Sequence, residues 1–203
     1  GLPVNIEAFS NLAKKHNFIL IEDAAEALGS EFKKKKLGSF DHITTFSFHI
    51  AKLITTIEGG CVVSKNKKII KKIEQIKDHG RTSNEKYIHD AVGTNFRTTD
   101  LQSVLGVQQL KKIEKYIDKR NKVALRYRKE IKNVQFQEIP DFVTKHSYML
   151  FFGKADSENK RDEIIEKCVK NGIDCRKTWM PITNQPCFPE LKNKKCPNAE
   201  KIF

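Results

Sequence analysis

The sequence predicts an α/β protein in which a larger domain with a mostly parallel sheet precedes a smaller C-terminal α/β domain. Short apolar runs alternate along the chain with stretches whose apolar residues recur at helical spacing. Residues 18–21 form a continuously apolar run, which is typical of a strand buried on both faces of a parallel sheet. Glu22 and Asp23 follow this run directly, at the end of the strand where α/β sheets bind their ligands.

The first part of the chain alternates between helix and strand. The predicted elements are, in order, a helix from Ile6 to about His16, a strand at 18–21, a hairpin tip at Lys33 to Lys36, strands at 43–48 and 61–64, and a helix at about 66–78. Gly59 and Gly60 mark a turn between the last two strands. His79 and Gly80 are a typical helix end, because glycine readily adopts the left-handed backbone conformation found there.

A long helical pattern follows a polar segment. Residues 81–98 are polar and predict irregular structure. Thr99 and Gln102 have the spacing of a capping box, in which each side chain satisfies a backbone N–H group at the start of a helix. Apolar residues at helical spacing then continue from Asp100 to about Lys132. Gly106 within this pattern indicates close packing against a neighbouring element.

The remaining residues predict parts of two domains. A strand near residues 147–153 and a helix near residues 160–170, ended by Asn171 and Gly172, indicate a small α/β unit. We expect residues 1–112 to be the C-terminal part of the larger domain, and residues 113–203 to comprise a bridging helix and most of the smaller one. The chain lacks an initiator Met and ends within a helical pattern, so we expect a piece of a longer protein.

Composition excludes several classes of protein. The formal net charge is +13, but the basic residues are scattered and not interleaved with aromatic residues, so we favour a lysine-rich surface and expect no nucleic-acid partner. The sequence has no run of about 18 apolar residues and no secretion leader, so we expect no membrane segment. None of the five cysteines forms a CxxC pair, so we expect no metal site and reduced thiols in a cytoplasmic protein.

Chemically capable side chains follow the ends of the predicted strands. Asp23 follows the first strand, Ser47 lies at the end of the second, and Lys52 comes shortly after it. Such a lysine can act as a nucleophile or form a Schiff base, while a carboxylate can pair with a pyridinium nitrogen and a hydroxyl can donate to a phosphate. Each residue taken alone has an ordinary structural explanation: Lys52 as a surface lysine, Asp23 as a helix cap and Ser47 as a buried hydroxyl. Their grouping at neighbouring strand ends favours a ligand site.

Longer motifs connect these residues. They run, in chain order, from Glu22 to Gly29, Gly38 to Phe40, Phe46 to Gly60, Asp78 to Arg81, Gly93 to Arg97, Asp100 to Gly106, Gln109 to Leu110, and through Arg176, Trp179 and Pro181. In this order they make essentially the whole chain similar to the DegT/DnrJ/EryC1/StrS sugar aminotransferases. The resemblance implies fold type I of the pyridoxal-phosphate-dependent transferases, with both domains truncated.

The resemblance also implies a role for each site residue. Lys52 matches the catalytic lysine that carries pyridoxal 5'-phosphate, and Asp23 matches the aspartate that keeps the cofactor's ring nitrogen protonated. Glu26 falls near the ring hydroxyl, and Ser47 matches the serine that binds the cofactor phosphate. Asn95 matches an asparagine that reaches the phosphate of the neighbouring subunit's cofactor, so a homodimer with shared active sites is implied.

The reaction implied by the resemblance moves an amino group from glutamate to a nucleotide-linked 4-keto-6-deoxy sugar. The product is a 4-amino-4,6-dideoxy sugar of the perosamine or viosamine type, for surface polysaccharide or glycan synthesis. A 3-aminotransferase is the alternative within the family, whereas a dehydratase is disfavoured because those relatives carry histidine in place of Lys52. An alternative from another class is a catalytically impaired or split homologue that binds sugar nucleotides or a protein partner. Ile57 motivates it, because it replaces a common glycine and is strained if its φ is positive.

Overall fold

The computed structural model of the protein describes residues 1–82 and 87–203. No helix within these residues is long and apolar enough to cross a membrane. Their His, Cys, Asp and Glu side chains form no group of three or more that could hold a metal ion. Residues 83–86, which belong to the segment predicted to be irregular, lie outside the described residues.

The chain forms two compact units. The larger unit comprises residues 1–127 and 138–151, and the smaller unit comprises residues 128–137 and 152–203. The predicted division between residues 112 and 113 concerns the domains of the whole protein, and it stays a prediction.

Helices and strands alternate through most of the larger unit. In chain order the elements of both units are α1 (Ile6–His16), β1 (Ile21–Asp23), β2 (Glu31–Phe32), β3 (Lys35–Lys36), β4 (Ile43–Ser47), β5 (Gly60–Val63), α2 (Lys67–Lys77), α3 (Asp100–Leu110), α4 (Ile113–Glu130), β6 (Gln135–Phe136), β7 (Val143–Lys145), β8 (Gly153–Lys154), α5 (Glu158–Lys170) and α6 (Pro197–Ile202). Two short 3-10 turns lie between α5 and α6.

The sheet that positions the candidate site has the strand order β1-β4-β5. β1 runs parallel to β4, with Asp23 opposite Thr45, and β5 runs antiparallel to β4, with Ser47 opposite Gly60. Because β1 and β4 point the same way, their C-terminal ends lie at one edge of the sheet. Asp23 and Ser47 therefore project from the same edge, as the sequence pattern predicted. A second sheet, with the order β3-β2-β7, is antiparallel.

Two hydrophobic clusters support this sheet edge. The first contains the buried residues Ile6, Ala24, Ala27, Phe32, Leu37 and Phe46. The second consists of Ile54, Ile113 and Ile117, of which Ile117 is fully buried. Burying an isoleucine side chain contributes about 1.5–3 kcal/mol. Since Ile54 follows Lys52 by two residues, the second cluster anchors the loop that carries this lysine.

The smaller unit pairs β6 with β8 and carries α5. In the antiparallel pair, Phe136 lies opposite Gly153. A side chain at Gly153 would clash with Val134, so the close approach of the two segments requires a glycine. Ser157 caps α5 by accepting a hydrogen bond from the Lys160 backbone N–H at 3.3 Å.

Elements that depend on short local signals are confirmed. α1 begins after Asn5, whose side chain caps the helix, and ends at His16 as predicted. The lysine run forms a hairpin, with β2 and β3 joined through Lys33 and Lys34. Thr99 and Gln102 make the predicted capping box at the start of α3.

The prediction of one long helix from Asp100 to Lys132 is wrong. The chain turns at Lys111 and Lys112, and the Lys112 N–H donates to the Gln109 carbonyl only three residues back. Such a tightened turn ends the α-helical ladder. After the break α4 begins at Ile113, and Ile113 and Ile117 pack with Ile54 in one buried cluster.

Two predicted strands also differ from the structure. The run at 18–21 was expected to be buried on both faces, but β1 begins only at Ile21, and Ile19 and Ile21 are 73% and 61% exposed. β1 is also an edge strand in the described sheet, with β4 as its one neighbour there. The strand predicted at 147–153 is absent, because side chains satisfy the backbone there: Ser147 N–H donates to Ser30 Oγ, and Arg120 donates to the carbonyls that follow.

Candidate functional site

Lys52 lies in a loop of residues 48–59, called here the lysine loop, that joins β4 to β5. Backbone hydrogen bonds close this loop at its base: Phe48 N–H donates to the Gly59 carbonyl at 2.8 Å, and Thr56 N–H donates to the Phe48 carbonyl at 2.9 Å. Ile54, only 3% exposed, holds the middle of the loop in the core. The loop is therefore an ordered extension of the sheet edge.

The Lys52 side chain is paired with a carboxylate. Lys52 Nζ donates to Glu26 Oε1 at 3.1 Å, and the lysine side chain is only 19% exposed. A half-buried ammonium group is costly without a counter-charge, so Glu26 compensates Lys52 electrostatically. Glu26 reaches this position from the turn that follows β1. The structure thus brings together two residues that the sequence analysis placed in one site.

Asp23 and Ser47 retain polar atoms that are available to a ligand. Asp23 Oδ1 accepts a hydrogen bond from the Ala25 N–H at 3.0 Å, while its Oδ2 makes no hydrogen bond within the described residues. Ser47 Oγ accepts from the His49 N–H at 3.3 Å, and its own proton has no acceptor in the part of the chain that the structure describes. The sheet edge therefore offers a carboxylate oxygen and a hydroxyl donor.

A buried polar pair fixes the register of the strands beneath Asp23, and sequence reasoning missed it. Glu22 Oε2 hydrogen-bonds to His42 Nε2 and accepts from Thr44 Oγ1, both at 3.1 Å. Both members of the Glu22–His42 pair have almost fully buried side chains. Because the pair links β1 to the start of β4, it keeps Asp23 in register with Thr45, its partner in the parallel strands. The sequence signal that could have revealed this pair is the carboxylate of Glu22, which follows an apolar strand directly.

Asn95 makes no hydrogen bond to the other four candidate residues within the described part of the chain. It pairs with Asp78 through an isolated β-bridge, and its Oδ1 accepts from the Arg97 side chain at 3.2 Å. The Arg81 guanidinium binds both carboxylate oxygens of Asp78 and, with the Arg97 charge, holds the pKa of Asp78 below its ordinary value. Asn95 thus belongs to a separate, positively charged cluster on the same unit.

Helix α3 contacts the lysine loop at three successive turns, a feature that sequence reasoning recognised only at Gly106. Gln102 Nε2 donates to the Glu58 carbonyl at 3.1 Å. A Cβ atom at Gly106 would lie 2.8 Å from Thr56 Cγ2, so the predicted close packing at this glycine is confirmed. Gln109 hydrogen-bonds both backbone groups of Thr55. The spacing of these α3 residues, which places them on one helix face, was the sequence signal.

Ile57 has a strained backbone. Its φ is 73°, so the residue that replaces the common glycine of the family does have a positive φ. A β-branched residue at positive φ is a steric outlier, and the left-handed conformation costs about 1–2 kcal/mol for a non-glycine residue. The Ile57 N–H donates to Thr55 Oγ1 at 2.8 Å, which holds the strained turn closed. The strain lies five residues from Lys52, in the same loop.

Replacing Ile57 with glycine is expected to stabilise the protein. Glycine relieves the backbone strain, and Ile57 is more than half exposed, so little apolar burial is lost. After subtraction of the extra entropy of glycine in the unfolded chain, about 0.5–1 kcal/mol remains, or a rise in Tm of about 2 °C. Thermal unfolding measures it. Ile50→Gly is the matched control, because Ile50 is also more than half exposed but has no positive φ, and it should lower the Tm. A lower Tm for Ile57→Gly would contradict the assignment of strain.

Comparisons with known proteins identify relatives of the whole chain. The model of the DegT/DnrJ/EryC1/StrS aminotransferase family matches residues 1–203. The chain is 39% identical to a UDP-4-amino-4,6-dideoxy-N-acetyl-beta-L-altrosamine transaminase of Campylobacter jejuni, with 100% of the chain and 56% of that protein covered. It is 32% identical to the GDP-perosamine synthase of Escherichia coli O157:H7, with 100% of the chain and 55% of that protein covered.

A solved structure confirms the predicted fold class. Helicobacter pylori PseC, described as an aminotransferase involved in the biosynthesis of pseudoaminic acid, superposes with a TM-score of 0.89 at 30% identity. The match covers 99% of this chain and 56% of the PseC chain. The α/β architecture is therefore that of the fold-type-I sugar aminotransferases. The chain spans about half the length of the curated relatives it matches.

Proposed function

Because this chain belongs to the DegT/DnrJ/EryC1/StrS aminotransferase family, we propose that the whole protein is a pyridoxal-phosphate-dependent aminotransferase that acts on a nucleotide-linked sugar. Glutamate donates the amino group, and the acceptor is a 4-keto-6-deoxy sugar. The product is a 4-amino-4,6-dideoxy sugar of the perosamine or viosamine type, used in surface polysaccharide or glycan synthesis. The observation that carries the proposal is the Lys52–Glu26 pair, which lies in the loop and turn that follow the strand ends bearing Ser47 and Asp23.

The residues at this sheet edge fit pyridoxal phosphate, the cofactor on which aminotransferases of this family depend. The unengaged Oδ2 of Asp23 suits a protonated ring nitrogen, and the unengaged hydroxyl proton of Ser47 suits a phosphate oxygen. Lys52 would supply the amine, and Glu26, which pairs with it, is the candidate partner of a ring hydroxyl. The cofactor supplies an aldehyde that condenses with amines and a ring that withdraws electrons.

The protein's own groups then handle the protons. The Asp23 carboxylate would keep a proton on the ring nitrogen of the bound cofactor by charge pairing. With the cofactor bound, Lys52 Nζ as a free amine would accept the proton that leaves the α-carbon of glutamate and, in the second half of the reaction, would deliver a proton to C4 of the sugar. Glu26 stabilises the ammonium form of Lys52 between these transfers, since it lies within hydrogen-bond distance. The same lysine therefore serves as base and acid in the two halves of the reaction.

The proposed active form is a cytoplasmic homodimer. The family resemblance of the segment around Asn95 implies that this residue reaches the cofactor phosphate of the second subunit. The cluster of Asn95 with Arg97 and Arg81 supports this role, because two guanidinium groups next to an amide form an anion-binding surface. Asp78 holds both arginines in place.

The names of the relatives support a proposal for the sugar carbon that receives the amino group. Both curated relatives described above carry names that refer to a 4-amino sugar transaminase or to perosamine synthesis. Their nucleotides differ, one name referring to UDP and the other to GDP. We therefore propose 4-amination, with the nucleotide to be identified by assay.

The test is direct transfer of isotopically labelled nitrogen. The whole protein, supplied with pyridoxal phosphate and labelled glutamate, is incubated with UDP- and GDP-linked 4-keto-6-deoxy sugars and, separately, with their 3-keto isomers, and the products are analysed by mass spectrometry and NMR. Labelled nitrogen at C4, with stoichiometric formation of 2-oxoglutarate, is the expected result. Transfer to the 3-keto isomers instead, with labelled nitrogen at C3, would assign the 3-aminotransferase alternative. Binding of a sugar nucleotide without transfer would assign the catalytically impaired alternative.

A further inference from the structure

The lysine loop is held from outside the sheet by one side-chain amide. Gln109 Oε1 accepts the Thr55 N–H, and Gln109 Nε2 donates to the Thr55 carbonyl, each at 3.1 Å. A neighbouring β-strand would make the same pair of hydrogen bonds to the backbone of Thr55. Gln109 satisfies both backbone groups of a residue that lies three positions after Lys52, although it is 54 residues away in the chain.

Two threonine hydroxyls of the loop add to the hydrogen bonds made by Gln109. Thr55 Oγ1 donates to the Phe48 carbonyl at 2.9 Å, and Thr56 Oγ1 donates to the Glu58 carbonyl at 2.6 Å. Thr56 is buried and lies against Gly106 of α3. Loss of the Gln109 amide would leave two partly buried backbone groups of Thr55 without their partners, which is unfavourable for groups that water cannot fully reach.

We propose that Gln109 is a positioning residue for Lys52. It acts through Thr55: by holding the backbone of this residue against the rigid face of α3, it limits the positions that Lys52 Nζ can reach. The inference rests on the proposed function, in which Lys52 must meet a bound aldehyde. Misplacement of a reacting group by about 1 Å can cost roughly 100-fold in rate, so a small loss of order in the loop has a measurable effect.

The first experiment measures the clamp without any reaction. Hydrogen–deuterium exchange of the cofactor-free whole protein is followed in peptides that contain Thr55, for the wild type, Gln109→Leu and Gln109→Glu. Loss of a hydrogen bond worth about 1 kcal/mol is expected to accelerate exchange of Thr55 by about 5-fold or more in Gln109→Leu. Gln109→Glu keeps the acceptor for the Thr55 N–H and loses the donor, so its exchange should be intermediate.

The second experiment measures positioning. Pyridoxal phosphate is added to each cofactor-free protein, and its attachment to Lys52 is followed by absorbance and by borohydride trapping. Attachment is expected to slow about tenfold in Gln109→Leu and less in Gln109→Glu. Gln108→Leu is the matched control, because Gln108 is the exposed neighbour on the same helix and makes no hydrogen bond to the loop within the described residues. It should behave like the wild type in both experiments.

The outcomes separate this inference from the proposed function. Unchanged exchange at Thr55 overturns the clamp, and faster exchange with unchanged attachment overturns the positioning role, leaving Gln109 a structural residue. If Gln109→Leu does not fold, Gln109→Glu, which has the same size, decides by the same criteria. A wild-type protein that attaches the cofactor but transfers no amino group contradicts the proposed function alone, because neither measurement requires a sugar substrate.

Discussion

Replacing Lys52 with alanine is expected to abolish covalent attachment of pyridoxal phosphate. After incubation with the cofactor and reduction with borohydride, the wild-type protein should carry a pyridoxyl group on the peptide that contains Lys52, and the variant should carry none. Amino transfer should fall by about 100- to 10,000-fold, since the variant lacks both the amine and the group that moves the protons. Peptide mapping by mass spectrometry and formation of 2-oxoglutarate measure the two effects.

Lys65→Ala is the control for this experiment. Lys65 is an exposed lysine that pairs with Asp41 at the surface, and its removal should leave labelling at Lys52 intact. The fold should survive the Lys52→Ala change, because Ile54 and not Lys52 anchors the loop in the core. Labelling that is spread over surface lysines in the wild type, with none on Lys52, would contradict the aminotransferase proposal and favour a homologue that only binds.

Replacing Asp23 with asparagine is expected to lower amino transfer by about 100- to 1,000-fold, the cost of losing one preorganised electrostatic partner. Asparagine keeps the size of the side chain and the oxygen that accepts the Ala25 N–H, so the turn after β1 remains intact. It cannot offer the negative charge that keeps a ring nitrogen protonated. The kcat for transfer from glutamate measures the effect.

The control for Asp23 is Asp41→Asn. Asp41 is an almost fully exposed aspartate paired with Lys65, and its neutralisation should leave kcat unchanged. Attachment of the cofactor to Lys52 should persist in Asp23→Asn, because Lys52 lies on a different element. A near-wild-type kcat in Asp23→Asn would remove Asp23 from the catalytic machinery and would leave the rest of the proposal in place.

Much of the fold could be predicted because its signals are local. The Asn5 cap of α1, the capping box of Thr99 with Gln102 and the hairpin at Lys33 and Lys34 each involve residues within a few positions of one another. Such signals act through hydrogen bonds and backbone preferences that are already present in a short segment. The order of longer motifs was sufficient to predict the family, which the family match confirms.

The sequence also predicted where the candidate site would lie, but not how its residues meet. The strand ends put Asp23 and Ser47 at one edge, since parallel strands bring their C-terminal ends together. The contact between Lys52 and Glu26 joins residues that are 26 positions apart, and no local pattern encodes it. The roles of these residues toward the cofactor stay predictions until the variants are measured.

The sequence by itself determined the elements that depend on capping, turn chemistry and apolar periodicity, together with the family. Only the tertiary structure decided the break between α3 and α4, the exposure of Ile19 and the clamp of Gln109 on Thr55. The physical reason is the range of the forces. Caps and turns depend on interactions between neighbours in the chain. A break between two helices, the place of a strand in a sheet and a hydrogen bond from a side-chain amide to a distant backbone are decided only when packing brings separate segments together.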